Sequence, residues 1–291
     1  MREETYTVVG AKGIREYILA ENLSFEEAML VIEEKGMSFD NVNIAEEHLV
    51  LDKPKNFIVV SDASMMLEET KLLLDRPLKF QEQFVFLGNY ICDAPGFYDY
   101  MTYLVKLKKR RDCVFVKGKN EYNLLEYINQ TEKYLGPLSD VLSLIRTIEK
   151  ELSFPLYSLP SRFPDFYDIL NGSLDFYEND TYIFTSGGLD LEIDFWKQSQ
   201  PEELFLTTET FLLEPNETGK CIVFGDISLS TLNQSDIIRP WFNMNRDKIG
   251  INGNCRFGGK LLGLFIHDSS PSFMGIRNID AREERRLAST H

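Results

Sequence analysis

Short apolar runs alternate with longer amphipathic stretches from residue 48 to residue 152. The short runs predict strands at His48–Leu51, Phe57–Val60, Phe84–Leu87 and Cys113–Val116. The longer stretches predict helices at Met65–Leu74, Pro95–Lys108, Glu121–Tyr134 and Leu138–Leu152. Strand, loop and helix repeated in this order indicate βαβ organisation, which brings functional loops to the carboxyl ends of the strands. The pattern therefore predicts the α/β class.

The second half of the chain is patterned as strands and turns after Phe163. Strands are predicted at Ser173–Tyr177, Tyr182–Thr185, Cys221–Phe224, Leu261–Ile266 and Phe273–Ile276. The segment Pro155–Tyr167 is too rich in proline and aromatic residues for a buried helix. It is either a surface loop packed on its own domain or a set of rigid aromatic anchors for a partner.

The ends of the chain differ in character from this centre. Residues 1–47 predict a helical accessory segment, with one helix from Gly13 through Ala20 and a second that begins with the capping-box spacing Ser24–Glu27 and ends at Gly36. It is either a helical pair packed on the main domain or a module that docks a partner. The main domain is predicted over residues 48–278, and residues 279–291 form a charged tail.

The amino-acid composition limits the kinds of molecule that the chain is expected to bind. The 31 Lys and Arg residues against 46 Asp and Glu give a net charge of −15, so no broad surface for nucleic acid or an anionic membrane is expected. The N-terminus lacks the apolar core of a signal peptide, and no apolar run approaches the length of a membrane span. The expected location is the cytoplasm. The four cysteines form no CxxC pair, so free thiols are expected and a structural zinc site is not.

The segments that follow the predicted strands carry a series of short motifs. In chain order they read Ser61-Asp-Ala-Ser-Met65, Gly88-Asn-Tyr-Ile-Cys-Asp-Ala-Pro95, Lys117-Gly-Lys-Asn-Glu121, Phe184-Thr-Ser-Gly-Gly-Leu189 and Val223-Phe-Gly-Asp226. Asp62, Asn89 and Lys119 are separated by 27 and 30 residues, which leaves room for one strand and one helix between successive loops. A later stretch reads Ile251-Asn-Gly-Asn-Cys-Arg-Phe-Gly-Gly-Lys-Leu261.

This series resembles the PPP-type Ser/Thr phosphatases among the calcineurin-like metallophosphoesterases, whose motifs are GDxHG, GDxVDRGP, GNHE, VHAGL, VFGH and IDTGCxFGGKL. The resemblance covers residues 48–277 and is nearer to the short bacterial and phage members, including symmetrical dinucleoside tetraphosphatases. It implies the αββα metallophosphoesterase fold, in which two packed mixed β-sheets are flanked by helices. It also implies two divalent metals that activate a bridging water.

The positions of the implied metal ligands are largely changed in this chain. Asp62 keeps the aspartate of GDxHG, whereas the other positions of the site carry Ser64, Asn89, Lys119, Ser186 and Asp226. The catalytic histidine of GNHE is replaced by Asn120, which has no useful pKa. The phosphate-binding arginine of VDRG is replaced by Asp93, which repels a phosphate, and none of the three histidines (His48, His267 and His291) lies at a motif position. Glycines that set loop shape persist.

We therefore interpret the chain as a pseudophosphatase, with no catalytic residues and no cofactor expected. In this interpretation it binds a protein partner, or a phosphorylated ligand, through the former active-site face. One alternative is a divergent phosphoesterase with a single Mn²⁺, Mg²⁺ or Ca²⁺ held by Asp62, Asn89 and Asp226. A further alternative is a structural subunit of a larger assembly. Lys119 either replaces a metal by pairing with Asp62 or Asp226, or is a solvated loop lysine.

Overall fold

The computed structural model describes residues 6–12, 15–23, 42–45, 48–51, 56–75, 82–131, 133–193, 195–267 and 270–277. The chain divides into two compact units. The first comprises residues 1–55 with 78–82, and the second comprises residues 56–77 with 83–291. All candidate site residues belong to the second unit.

The first unit contains a four-stranded sheet. Its strands are β1 (Tyr6–Lys12), β2 (Arg15–Leu23), β3 (Val42–Ala45) and β4 (His48–Leu51), in the order β2-β1-β4-β3. The helix predicted from Gly13 through Ala20 is wrong, because residues 15–23 form the antiparallel partner of β1, with Val9 opposite Ile18. The neighbouring strand β1 is rich in β-branched residues, and pairing with it outweighs the local helical pattern.

The predicted strand His48–Leu51 is confirmed, but its sheet is not the one expected. It pairs in parallel with β1, so it belongs to the first unit, and the second unit begins at Asn56 and not at residue 48. The predicted helix from Ser24 to Gly36 and the charged tail 279–291 lie outside the described residues.

The second unit is built on two five-stranded mixed sheets. The first has the order β14-β13-β5-β6-β7 and the second β11-β12-β10-β9-β8. The strands of the first sheet are β5 (Phe57–Ser61), β6 (Gln83–Leu87), β7 (Cys113–Val116), β13 (Lys260–His267) and β14 (Ser270–Arg277). Those of the second are β8 (Phe176–Glu178), β9 (Tyr182–Thr185), β10 (Cys221–Ser228), β11 (Trp241–Phe242) and β12 (Lys248–Asn252).

The core lies between these two sheets. One face of β5 contributes Phe57 and Val59, which share a buried cluster with Phe184 of β9 and Val223 of β10. The opposite face of β5 is buried as well, since Ile58 and Val60 are almost fully inaccessible. Strands buried on both faces explain why the sequence shows continuous apolar runs here and not an alternating pattern.

The helices of the second unit follow the predicted ones closely in the first half. They are α1 (Leu67–Leu74), α2 (Phe97–Arg110), α3 (Lys119–Ile128), α4 (Leu138–Leu152), α5 (Leu159–Arg162), α6 (Pro164–Asn171), α7 (Pro201–Phe205), α8 (Glu209–Leu213) and α9 (Leu229–Asn233). Short 3₁₀ helices lie at Leu156–Ser158, Trp196–Gln198 and Cys255–Phe257.

The segment Pro155–Tyr167 is helical, so its assignment as a loop is wrong. It contains the 3₁₀ turn, α5 and the start of α6, and a proline stands in the first turn of both helices, where its missing N–H is not needed. Its aromatic rings pack largely on their own domain. Phe166 is buried and stacks on Phe163 with 5.0 Å between ring centroids.

Candidate functional site

The loops at the carboxyl ends of the central strands surround one cavity of about 330 Å³. Five of the predicted metal-site positions line it, and both positions predicted to have lost catalytic groups do as well. They are Asp62, Ser64, Asn89, Lys119, Asp226, Asp93 and Asn120. The remaining position, Ser186, lies behind the wall, where its carbonyl accepts hydrogen bonds from the N–H groups of Gly225 and Asp226 at 2.9 and 3.0 Å.

The loops are held in strained conformations. Asp62, Ser64 and Asn89 all have positive φ angles, between 44° and 48°, in the left-handed region that non-glycine residues seldom adopt. Gly88 also has a positive φ of 62°, and a Cβ there would lie 2.5 Å from the backbone of Gly118 and 2.6 Å from Oγ of Ser186. The glycine is needed because three loops meet around it.

A buried carboxylate joins two of these loops. Glu121 is fully buried, and its oxygens accept hydrogen bonds from the N–H groups of Asn89, Ile91 and Gly118 at 2.7, 2.8 and 2.9 Å. Burial raises the pKa of this carboxyl to about 7, although the backbone donors act in the opposite direction. Glu121 is therefore a residue that shapes the site and does not face the cavity.

Asn89 and Asp226 contact each other across the cavity. Nδ2 of Asn89 donates to Oδ1 of Asp226 at 3.1 Å, and Oδ2 of Asp226 accepts from the backbone N–H of Thr207 at 3.1 Å. Burial raises the pKa of Asp226, and the Thr207 N–H, the charge of Lys119 and the Asn89 amide oppose that rise. The amide and the carboxylate are thus satisfied by protein groups.

Asp62 is satisfied in a similar way. Oγ of Ser64 donates to its Oδ1 at 2.6 Å, within the same loop. Burial is the main cause of the raised pKa of Asp62, and the charge of Asp226 adds to it, whereas Ser64, Asn252 and Arg256 lower it. The charge of Asp226 thus disfavours ionisation of Asp62.

An arginine that the sequence analysis did not single out lies at the mouth of the cavity. Nη1 of Arg256 forms an ion pair of 2.6 Å with Oδ1 of Asp93, across 163 residues of sequence. The guanidinium compensates the charge of Asp93, so this carboxylate repels an anion less than the sequence alone predicts. Arg256 lies in the segment that matches IDTGCxFGGKL, so its position was visible in the sequence, whereas its partner was not.

Lys119 lines the cavity without forming the expected pair. Within the described residues no ion pair joins its ammonium to Asp62 or Asp226 within 4.0 Å, although its charge lowers the pKa of Asp226. Oδ1 of Asp226 accepts from the Asn89 amide and Oδ2 from the N–H of Thr207, so Lys119 is a neighbouring cation and not a direct partner of this carboxylate.

Asn120 cannot act as an acid. Its Nδ2 donates to the carbonyl of Ile91 at 2.8 Å, which fixes the amide against the loop after β6. No residue described along the cavity is a histidine. The rest of the lining is mixed: Leu135, Pro137, Val141 and Leu144 are apolar, whereas Asn123 and Asp140 are polar.

The residues present do not fit a two-metal centre. Within the described part of the chain no group of three or more His, Cys, Asp or Glu side chains is arranged to hold a metal ion. Asp62 and Asp226 are the only carboxylates among the six ligand positions, the bridging position is a neutral amide, and a lysine lines the same cavity. The hydroxyl of Ser186 is buried without a hydrogen-bond partner at a position where the implied ligand is an imidazole.

The cysteines are inert in this setting. Burial raises the pKa values of Cys92, Cys113, Cys221 and Cys255 to about 12. Cys92 lines the cavity, and its thiol donates to the carbonyl of Ser64 at 3.1 Å. All four are free thiols.

None of the helices in the described part of the chain combines the length and the apolarity needed to cross a bilayer.

Comparison with solved structures defines the fold. The crystal structure of a candidate diadenosine tetraphosphatase matches 76% of this chain and 94% of its own, with a TM-score of 0.50 and 16% sequence identity. A serine/threonine phosphatase from Saccharomyces cerevisiae with similarity to human phosphatase PP5 matches 76% and 79%, with a TM-score of 0.49 and 12% identity. A hypothetical protein from Pyrococcus horikoshii OT3 matches 80% and 93%, with a TM-score of 0.47 and 11% identity.

No protein-family profile and no curated protein matches the chain by sequence. The structural likeness and the two packed mixed sheets confirm the expected fold class, which is the calcineurin-like metallophosphoesterase fold. At this level of identity the likeness extends to the fold alone.

Proposed function

We propose that this chain is a pseudophosphatase: a non-catalytic module with a phosphoesterase fold that binds a protein partner through the face carrying the cavity. The observation that carries this proposal is the hydrogen bond between Asn89 and Asp226. Where metal chemistry would require a shared anionic ligand, a neutral amide donates to the remaining carboxylate. The site is thus held together by the protein's own groups.

The chemistry of the cavity also favours binding over hydrolysis. A phosphoesterase needs an activated water and an acid for the leaving group. The position of the acid is Asn120, an amide bonded to the backbone. Binding of a substrate phosphate would require a free guanidinium at the mouth of the cavity. Arg256 lies there, but it is already paired with Asp93.

The rim of the cavity has the features of a protein-binding surface. Phe257 lines the mouth and is 76% exposed, and the guanidinium of Arg256 lies over its ring at 5.5 Å. Pro137, Val141 and Leu144 line the same cavity, together with the exposed Asp140. An exposed aromatic ring next to an arginine and a pocket is the arrangement on which protein interfaces concentrate their binding energy.

The test is site-specific cross-linking. A photoreactive phenylalanine analogue at Phe257, in protein returned to the source organism, is expected to capture a discrete protein that mass spectrometry identifies. The matched control is the same analogue at Phe195, which is 71% exposed but does not line the cavity. Identical captures at both positions, or none at Phe257, would contradict the proposal. Purified partner should then bind the wild type and lose affinity for Phe257→Ala.

A second candidate function is a divergent phosphoesterase with one divalent cation. Its support is that the three candidate ligands Asp62, Asn89 and Asp226 line one cavity. The likeness to a candidate diadenosine tetraphosphatase makes a dinucleoside tetraphosphate the substrate to test. Metal analysis decides: stoichiometric Mn²⁺, Mg²⁺ or Ca²⁺ in purified protein, lost in Asp62→Ala, would favour this candidate. A structural-subunit role would instead appear as a defined oligomer or a stoichiometric co-purifying protein.

A further inference from the structure

A second cavity, of about 430 Å³, lies between α2 and the residues that join α5 to α6. No residue along it also lines the first cavity. Its apolar lining comes from Val105, Phe163 and Phe166, and three basic side chains surround that lining, namely Lys106, Lys109 and Arg162. We refer to it as the basic groove. Asp165 is the acidic residue along it.

The apolar lining of the basic groove is preorganised by ring stacking. Phe163 stacks on Phe166 at 5.0 Å with an interplanar angle of 13°, and on Phe154 at 5.8 Å with an angle of 22°. Tyr98 packs on the edges of this stack at 5.6 Å from Phe163. A stack of this kind holds its shape without a ligand, so binding there costs little conformational entropy in these side chains.

The start of α2, which forms one wall of the groove, is fixed to a neighbouring helix. The carboxylate of Glu151, in the last turn of α4, accepts hydrogen bonds from the first N–H groups of α2. These donors are Gly96, Phe97 and Tyr98, at 2.8, 3.1 and 2.8 Å. The contact satisfies the orphan donors of the helix and holds α2 against α4. The two walls also contact each other directly, since the rings of Phe97 on α2 and Phe166 on α6 lie 6.1 Å apart between centroids.

The charge of this region opposes that of the whole chain. Residues 106–111 read Lys-Leu-Lys-Lys-Arg-Arg, so five of the 31 basic residues of a chain with net charge −15 stand within six positions. Lys109 pairs with Asp165 at 2.8 Å. Lys106 forms no ion pair with any residue that the structure describes, and Arg162 lies over the ring of Phe154 at 4.8 Å.

Helix stability accounts for only part of this basic cluster. Basic residues in the last turn of a helix complement its dipole, and this explains the presence of Lys108, Lys109 and Arg110. Lys106 stands a turn earlier, and Arg162 belongs to a different helix that faces the same groove. Lys106 and Arg162 thus bring two exposed cations to one apolar surface from separate helices. This arrangement indicates recognition of a ligand that carries an anionic group next to an apolar group.

We propose that the basic groove is a docking site for an acidic segment of a partner protein, with one aromatic side chain inserted against the Phe163–Phe166 stack and flanking carboxylates on Lys106 and Arg162. The volume suits one large side chain, and the surrounding cations suit the carboxylates on either side of it. An extended nucleic acid does not suit this site, because the net charge of −15 opposes binding along the rest of the surface.

The experiment uses the full chain and a fluorescein-labelled peptide with a central tryptophan between two runs of three glutamates. Fluorescence anisotropy at physiological salt should show saturable binding below about 1 mM. The double variant Lys106→Glu with Arg162→Glu should weaken it by about tenfold or more, because both contacts become repulsive. The matched control is Lys108→Glu, a neighbouring exposed lysine that does not line the groove, which should change the Kd less than about twofold.

Two further peptides make the outcome decisive. Replacing the tryptophan by alanine should abolish measurable binding, and replacing the glutamates by lysines should do the same. The proposal is overturned if no peptide binds below about 1 mM, if Lys108→Glu weakens binding as much as the double variant, or if the alanine peptide binds equally well. Tighter binding of single-stranded DNA or of vesicles with anionic lipid, lost in the same double variant, would also overturn it. Circular dichroism of both variants verifies folding.

Discussion

Asn89 donates a hydrogen bond of 3.1 Å from its side-chain Nδ2 to Oδ1 of Asp226, and so joins the loop after β6 to strand β10 across 137 residues of sequence. The two segments belong to different sheets, since Asn89 follows β6 and Asp226 lies in β10. A second link, from Oγ of Ser61 to the carbonyl of Gly225 at 2.7 Å, ties the same sheets together. Both contacts connect the two sheets at the edge where the cavity lies.

Asn89→Asp tests the hydrogen bond between Asn89 and Asp226. The change removes a donor and sets a second carboxylate against Asp226, so we expect a loss of about 1–3 kcal/mol in the free energy of unfolding. Urea denaturation followed by circular dichroism measures it. The control is Asn171→Asp, an exposed position that should change stability by less than about 0.5 kcal/mol. Equal stability of Asn89→Asp and the wild type would show that this hydrogen bond contributes nothing to the free energy of unfolding.

Glu121→Gln tests the carboxylate that joins the loops after β6 and β7. The carboxylate accepts three backbone N–H groups, and a glutamine amide would turn an N–H₂ toward some of those donors. We expect a loss of about 2–4 kcal/mol, since buried donors would be left unsatisfied. Thermal unfolding measures it, and the exposed Glu68→Gln, which loses only an ion pair with Lys71, serves as the control. A loss no larger than that of the control would refute this role for Glu121.

Lys248→Met tests a buried lysine outside the cavity. Lys248 is fully buried, its pKa is lowered by burial, and its ammonium donates to the carbonyls of Phe211 and Glu214 at the end of α8. Methionine fills a similar volume but leaves both carbonyls without a donor, so we expect a loss of about 1–3 kcal/mol. Chemical denaturation measures it, with the exposed Lys133→Met as control. A neutral or stabilising result would mean that apolar packing outweighs these hydrogen bonds.

The cysteines supply a prediction about pH. Because burial raises all four pKa values to about 12, about one thiol in 10,000 is ionised at pH 8, and reaction follows the thiolate. Raising the pH toward 12 increases the reactive fraction, whereas lowering it from 8 leaves the thiols protonated. A disulfide reagent at pH 8 should therefore modify the native protein slowly and the unfolded chain rapidly at four sites. A thiol that reacts in the native state at the unfolded rate would contradict the burial of that cysteine.

The central part of the fold could be predicted from the sequence because its strands are short, apolar and regularly spaced. Phe84–Leu87 and Cys113–Val116 were readable as buried parallel strands, and the loops after them were expected to converge. The strand Arg15–Leu23 was not readable, since its apolar residues also suit a helix and only its pairing with β1 decides between the two.

The candidate site was predictable in position but not in its contacts. The motif order placed Asp62, Asn89 and Asp226 together, as the cavity has them. The ion pair of Asp93 with Arg256 spans 163 residues and leaves no local pattern, so the compensating charge was missed. The sequence left two interpretations of Lys119 open, and the structure shows a lysine that lines the cavity and acts on Asp226 through its charge without a direct ion pair.

Hydrolysis in the presence of Mn²⁺ tests the proposed loss of catalysis most directly. The rates for an aryl phosphate and for a dinucleoside tetraphosphate are measured with the wild type and with Asp62→Ala, which removes the retained aspartate of the site. We predict that both proteins show the same background rate at every Mn²⁺ concentration. A Mn²⁺-dependent rate in the wild type that Asp62→Ala abolishes would contradict the account and would identify the chain as an active phosphoesterase.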